Sequence, residues 1–169
     1  FMLVQHGTFA PPFLDRKSLT DSNAGKGFLQ RDSRPDPGAH SYSWPQKEEL
    51  NVRHSDQPEG FVATHLVPDS TGWCTLSSPG SGFLVGYIWN AADYPWLHIW
   101  HGAEDGKPVA RGIEFGNTGL GDNYSLMDRY RQTTFGHPHA TLMEGKATLH
   151  CSFFLFTADL PEGFRGVTD

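Results

Sequence analysis

The sequence is poor in cysteine, in basic residues and in long apolar runs, and each shortage argues against a class of protein. Cys74 and Cys151 are the only cysteines among 169 residues, and both stand in apolar runs. This favours free thiols and a reducing, cytoplasmic location over a disulfide scaffold. A net charge of -6 argues against a nucleic-acid partner, and no apolar run reaches the length of about 18 residues that a membrane helix needs.

Helical periodicity is scarce as well, whereas 19 glycines and 12 prolines interrupt the chain at short intervals. Many short strands separated by turn residues are typical of an all-β antiparallel sandwich, and this length suits a single domain over residues 1–169. One short helix is predicted over Leu120–Arg131. The predicted strands lie within Phe1–His6, Gly60–Val67, Trp73–Leu76, Phe83–Trp89, Trp96–Trp100, Val109–Phe115 and Thr148–Ala158.

Residues 15–59 form a polar, turn-rich segment with isolated aromatic residues at Phe28, Tyr42 and Trp44. Long ordered loops in small domains are usually functional. We therefore predict a mostly ordered loop region packed across one face of a sheet. The chain also begins at Phe1 directly within an apolar run, which suggests a fragment or a processed chain.

The stretch from Tyr94 to Gly116 carries the clearest pattern. Side chains of a strand alternate between its two faces. An aromatic front face beside the carboxylate of Glu114 suits a sugar ring, which stacks on aromatic side chains and needs polar partners for its hydroxyls. The alternative is that both faces belong to the core. One face would carry Tyr94, Trp96, His98 and Trp100, and the other Pro95, Leu97, Ile99 and His101.

Nine histidines raise the possibility of a metal site. The most specific candidate combines His137 and His139 with Glu144. This set resembles the first metal motif of cupins, and its imidazole and carboxylate ligands suit zinc, iron or manganese. The glycine that precedes that motif and the second cupin motif are both missing. A turn with exposed histidines is therefore the simpler interpretation, and no cofactor is expected.

The remaining candidates for catalytic groups are His6, at the end of an apolar strand, and Glu114, between Ile113 and Phe115. A carboxylate held in a groove and an imidazole are both suited to proton transfer near neutral pH. The alternatives are an exposed or ion-paired glutamate and a structural histidine.

Three segments resemble the galactose mutarotase-like (aldose 1-epimerase) superfamily. VQHGTFAPPFL resembles its histidine segment, VARGIEFGNTG its glutamate segment, and HCSFFLFTADLPEGFRGV its terminal strand. The resemblance extends over this whole chain but only over the C-terminal half of the family's fold, and it is strongest to an uncharacterised bacterial branch.

The resemblance implies a β-supersandwich that interconverts the α and β anomers of a free sugar without a metal or an organic cofactor. Glu114 would be the base and His6 the acid. The groove would also be lined by Trp96, His98, Trp100 and Arg111, and His65 would stand near the place of the family's substrate-binding aspartate.

The family's first half, which supplies an arginine and a further histidine, has no counterpart here. We therefore expect either a missing N-terminal half or a second copy of the chain as a partner. A carbohydrate-binding β-sandwich module without catalysis remains the alternative function.

Overall fold

Two antiparallel sheets packed face to face form the protein, for which the computed structural model describes residues 1–33, 36–121, 125 and 131–168. Two short 3₁₀-helices follow the third strand, at Gln30–Asp32 and Pro37–His40. The strands are β1 (Val4–Phe9), β2 (Leu19–Ser22), β3 (Lys26–Leu29), β4 (Tyr42–Ser43), β5 (Gln46–Lys47), β6 (Leu50–Asn51), β7 (Phe61–Leu66), β8 (Thr71–Ser78), β9 (Phe83–Asn90), β10 (Trp96–Glu104), β11 (Lys107–Gly116), β12 (Thr133–Thr134), β13 (His137–Pro138) and β14 (Phe153–Asp159).

The larger sheet has the strand order β1-β11-β10-β7-β3-β4-β5-β6, and the smaller sheet has the order β14-β9-β8-β2. Strands β12 and β13 form a separate two-stranded sheet in the described part of the chain. The two longest strands of the larger sheet, β10 and β11, form a hairpin whose turn has positive φ angles at Asp105 and Gly106. Strand β1 extends this hairpin by pairing with β11 and forms one edge of the sheet.

The core lies between the two sheets. Every second residue of β10 and β11 points into it, including Leu97, Ile99 and Phe115, and all three are fully buried. Phe115 stacks on Trp89 of the smaller sheet with 4.4 Å between ring centroids. The side chains on the opposite side of the larger sheet point away from this core, and we call that side the outer face.

The all-β antiparallel sandwich predicted from the sequence is confirmed, and each of the seven predicted runs overlaps a strand. Residues 15–59 differ from the expected loop region, because they supply β2 to the smaller sheet and β3 to β6 to the larger one. These strands are only two to four residues long, so they are too short to show an alternating pattern.

The helix predicted over Leu120–Arg131 falls mostly on residues 122–124 and 126–130, which lie outside the described residues. No helix in the described part of the chain is long and apolar enough to cross a membrane. Both cysteines are free thiols, as predicted, with Cys74 buried in the core and Cys151 partly exposed.

Candidate functional site

A row of polar side chains crosses the outer face of the larger sheet. His6 on β1 is the direct register partner of Glu114 on β11, which in turn is the partner of His98 on β10. The next strand, β7, places Thr64 opposite His98. Because residues directly opposite each other in a sheet share a face, antiparallel pairing alone brings these four side chains into line.

His6 and Glu114 form the accessible end of this row. Nε2 of His6 lies 3.5 Å from Oε1 of Glu114, and the side chains are 48% and 21% exposed. The hydroxyl of Thr8, two residues further along β1, lies 3.0 Å from the same imidazole nitrogen. An acid, a base and a hydroxyl therefore meet at one point that solvent can reach.

Gly112 lets three functional side chains approach one another beside this pair. A Cβ atom at Gly112 would lie 3.1 Å from Cβ of Trp100, 3.2 Å from Oε1 of Glu114 and 3.3 Å from Nε2 of His6. These contacts are tighter than a side chain normally makes, so glycine allows the carboxylate, the imidazole and the half-buried Trp100 to lie close together. Polar groups beside an aromatic side chain are the combination that suits a sugar ring.

His98 lies on the same face but is covered and immobilised. Its Nε2 lies 2.8 Å from the carbonyl oxygen of Thr118, and its Nδ1 lies 2.8 Å from the hydroxyl of Thr64. A carbonyl oxygen can only accept, so Nε2 carries the hydrogen, and in the neutral ring Nδ1 accepts from Thr64. His98 is 6% exposed and holds the segment after β11 against the sheet.

Gln30 completes this attachment. Its amide nitrogen donates to the hydroxyl of Thr64 at 2.6 Å and to the carbonyl oxygen of Gly119 at 2.8 Å, and its amide oxygen accepts from the backbone N–H of Gly121 at 3.0 Å. The segment 117–121 is therefore fixed over the part of the outer face that holds His98 and Thr64.

Trp96, on the same face of β10 as His98, is also covered. Its indole is fully buried, donates from Nε1 to the carbonyl oxygen of Pro138 at 3.1 Å, and stacks on His139 at 4.9 Å. Its ring cannot contact a ligand while these contacts hold. Trp100 lies four residues further along the same face of β10 and is only partly buried, so a ligand can reach its ring.

Arg111 and His65, which the sequence placed in the groove, both lie on the core side of the larger sheet and are fully buried. Arg111 donates from Nε to the hydroxyl of Thr20 at 3.0 Å and from Nη2 to the carbonyl oxygen of Val52. The physical reason is parity, since an odd number of positions separates each of them from Glu114 or from its row partner Thr64. Neither residue contacts the outer face.

Burial shifts the pKa values of the titratable groups on the core side. Desolvation lowers the pKa of His65 to about 3, with a smaller contribution from His98. Desolvation and then the nearby charge of Arg111 lower the pKa of His101 to about 4. Burial also lowers the pKa of Arg111 to about 10. Both imidazoles are therefore neutral near pH 7, and they belong to the core rather than to a site.

The structure does not assemble the alternative metal site. His139 is buried, and its Nδ1 accepts from the backbone N–H of Gly119 while its Nε2 lies 2.9 Å from the hydroxyl of Thr134. His137 and Glu144 are exposed. Among the described residues, no group of three or more histidine, cysteine, aspartate or glutamate side chains could hold a metal ion.

The sequence analysis missed Thr8, Gly112 and Gln30. Thr8 and Gly112 share the outer face with His6 and Glu114 because each stands two positions away, so strand alternation could have found both. Gln30 follows β3, and only the three-dimensional contacts with Thr64 and Gly119 reveal what it does.

No protein-family model matches this chain, and no curated protein matches it. Among solved structures, the chain is similar to the crystal structure of a candidate aldose 1-epimerase from Klebsiella pneumoniae subsp. pneumoniae MGH 78578, with a TM-score of 0.47 and 14% sequence identity. The alignment covers 69% of this chain and 30% of that chain, so the matched part is less than a third of the neighbour's length. This degree of likeness does not establish a family for the chain.

Proposed function

We propose that this chain binds a sugar at His6 and Glu114 and interconverts its α and β anomers by acid–base catalysis. The observation that supports this most is the 3.5 Å separation of the imidazole and the carboxylate on an accessible face. Gly112 lets Trp100 lie directly beside the pair, and the indole supplies a surface for the C–H groups of a sugar ring.

The chemistry requires one base and one acid close together. A cyclic sugar carries its anomeric hydroxyl and its ring oxygen on the same carbon, so two protein groups this close can contact both oxygens. The carboxylate of Glu114 accepts the proton of the anomeric hydroxyl, whose oxygen becomes the carbonyl oxygen of an aldehyde. Protonated His6 donates from Nε2 to the ring oxygen as its bond to the anomeric carbon breaks.

Rotation about the bond between the first two carbons then exposes the other face of the aldehyde. The ring closes when the former ring oxygen attacks that carbon and returns its proton to His6, while Glu114 returns the first proton to the new anomeric hydroxyl. The exchange consumes no proton overall, and the ring oxygen replaces the hydroxyl of Thr8, which lies 3.0 Å from Nε2, as the partner of His6 when the sugar binds.

The test is the rate of anomer exchange, measured by NMR on freshly dissolved glucose, galactose, xylose and mannose. We expect Glu114→Gln and His6→Gln each to lower the protein-catalysed rate by about a hundredfold or more, the usual effect of removing a general acid or base. Glu104→Gln, which changes an exposed glutamate at the end of β10, is the matched control and should leave the rate unchanged.

Equal rates for Glu114→Gln and the unaltered chain would overturn the proposal. Thermal unfolding of each variant separates a lost proton donor or acceptor from a lost fold. If the chain binds sugars through Trp100 but no variant alters anomer exchange, the protein is a carbohydrate-binding module without catalysis, and the acid–base assignment fails.

A further inference from the structure

A cavity adjoins the proposed site on the far side of Trp100. It has a volume of about 380 Å³ and lies where β7 begins and β10 continues past Trp100. Val62 is the register partner of Trp100, and both side chains line it. Trp100 therefore lies between Gly112 and this cavity.

A second cavity, of about 600 Å³, continues from the first one. The two share Leu29, Arg31, Gly60 and Phe61 in their walls, so they form one trough that leads away from Trp100 past the end of β3 and the start of β7. A single sugar ring at His6 and Glu114 would leave this whole trough unfilled.

The trough carries charges of both signs with an excess of carboxylates, and its two cations are paired with Asp32. Lys47 donates to Asp32 at 2.7 Å, and Nε of Arg31 lies 3.7 Å from the same carboxylate. The hydrogen bond from Lys47 holds the pKa of Asp32 below its usual range, and the carboxylate therefore stays charged. Glu48, Glu49 and Glu59 also line the cavity. The excess of carboxylates repels a phosphate or a carboxylate ligand, whereas the carboxylate oxygens can accept hydrogen bonds from neutral hydroxyl groups.

We propose that the ligand is a neutral oligosaccharide with its reducing end at His6 and Glu114, its next unit on Trp100 and its remaining units in the trough. This inference rests on the proposed function, because only a reducing end has a free anomeric hydroxyl for Glu114 to deprotonate. The direction of the oligosaccharide follows from the same requirement, since the trough lies on the Trp100 side of the pair.

The experiment compares anomer exchange on glucose with that on maltose, cellobiose and cellotriose. We expect kcat/KM for the preferred disaccharide to exceed that for glucose by about tenfold or more, which is the size of one aromatic contact. Val62→Trp fills the first cavity and should remove this advantage while glucose exchange persists. Ile88→Trp, at a 37% exposed position of the smaller sheet, is the matched control.

The outcomes separate this inference from the proposed function. Exchange that is equally fast on glucose and on all the oligosaccharides would overturn the inference and leave the proposed function intact. An absence of exchange on every sugar would overturn both. An oligosaccharide advantage that survives Val62→Trp would also contradict the inference, because the longer ligand would then lie elsewhere.

Discussion

Gly112 shows how a missing side chain can define a site. Its neighbours on the outer face are an indole, a carboxylate and an imidazole, and all three approach the position where its Cβ would be within 3.3 Å. No positive φ angle requires glycine at this position. The close approach of these three groups is therefore the property that a larger residue would disturb.

Gly112→Ala should lower sugar binding and anomer exchange by about tenfold to a hundredfold, because the added methyl group displaces Glu114 or His6 by a few tenths of an ångström. Kinetics on the best sugar of the panel, together with a thermal unfolding curve, would measure this. The fold should persist, since the three atoms nearest to the added methyl group belong to side chains rather than to the backbone.

The control for this substitution is Gly145→Ala, at an exposed position with no atom within 4 Å of the added Cβ. If both alanine variants exchange anomers at the unaltered rate, the close contacts at Gly112 do not matter for the reaction and the sugar does not bind beside this residue.

Strand β10 shows how much of the site the sequence can predict. Its alternation assigned Leu97 and Ile99 to the core correctly, because strand geometry fixes the two faces. It could not tell Trp96 from Trp100, since one is covered by His139 and the other is not. That difference arises from segments far along the chain, whose positions depend on tertiary packing.

The periodicity of the sequence likewise does not predict that His6 lies beside Glu114. Nothing in the spacing of the two residues indicates that β1 pairs with β11, and only the resemblance to a family brought them together as a hypothesis. Conversely, the same resemblance placed Arg111 and His65 near the sugar, although their positions within the strands already assign them to the core side.

Strand β14 forms an edge of the smaller sheet and exposes apolar side chains on both of its faces. Phe154 is 73% exposed and Leu155 is 60% exposed. The edge of β14 that faces away from β9 has no strand beside it in the described part of the chain. Apolar edge strands of this kind pair with other strands, and natural proteins often protect them with an inward-pointing charge.

We expect the chain to self-associate through β14 as its concentration rises, and Leu155→Lys to suppress this by placing a charge at the strand edge. Light scattering coupled to size-exclusion chromatography would report the mass. Val109→Lys, at a 37% exposed position of β11, is the control and should associate like the unaltered chain. A constant monomer mass at every concentration would rule out this contact.

Two buried imidazoles, His65 and His101, should make the stability of the whole molecule depend on pH. His65 lies edge-on to the rings of Tyr42 and Trp44, and neither of its nitrogens has a hydrogen-bond partner among the described residues. His101 donates from Nε2 to the carbonyl oxygen of Gln57 and stacks on Phe61. Folding therefore keeps both rings neutral at pH values where an unfolded chain would protonate them.

The free energy of unfolding should fall as the pH drops from 7 towards 4. The pKa of His65 is about 3 and that of His101 about 4 in the folded chain, against an ordinary value of 6.5. The unfolded chain thus binds more protons in this window, which costs about 2 kcal/mol per histidine at pH 5. Urea titrations at several pH values would measure the slope.

His65→Leu should make this slope shallower, because it removes one of the two buried titrating groups. His40→Leu, at an exposed position, serves as the comparison and should retain the full slope. An unchanged slope in His65→Leu would mean that His65 is not the group whose protonation opposes folding.

The position of His6 on an edge strand has a consequence for how the protein would fail on heating. Among the described strands, β1 pairs with β11 alone, whereas Trp100 lies on β10 with strands on both sides. Edge strands detach more readily than central ones. Detachment of β1 would carry the proton donor away while the indole and the trough stayed in place, so turnover would be lost at a lower temperature than sugar binding.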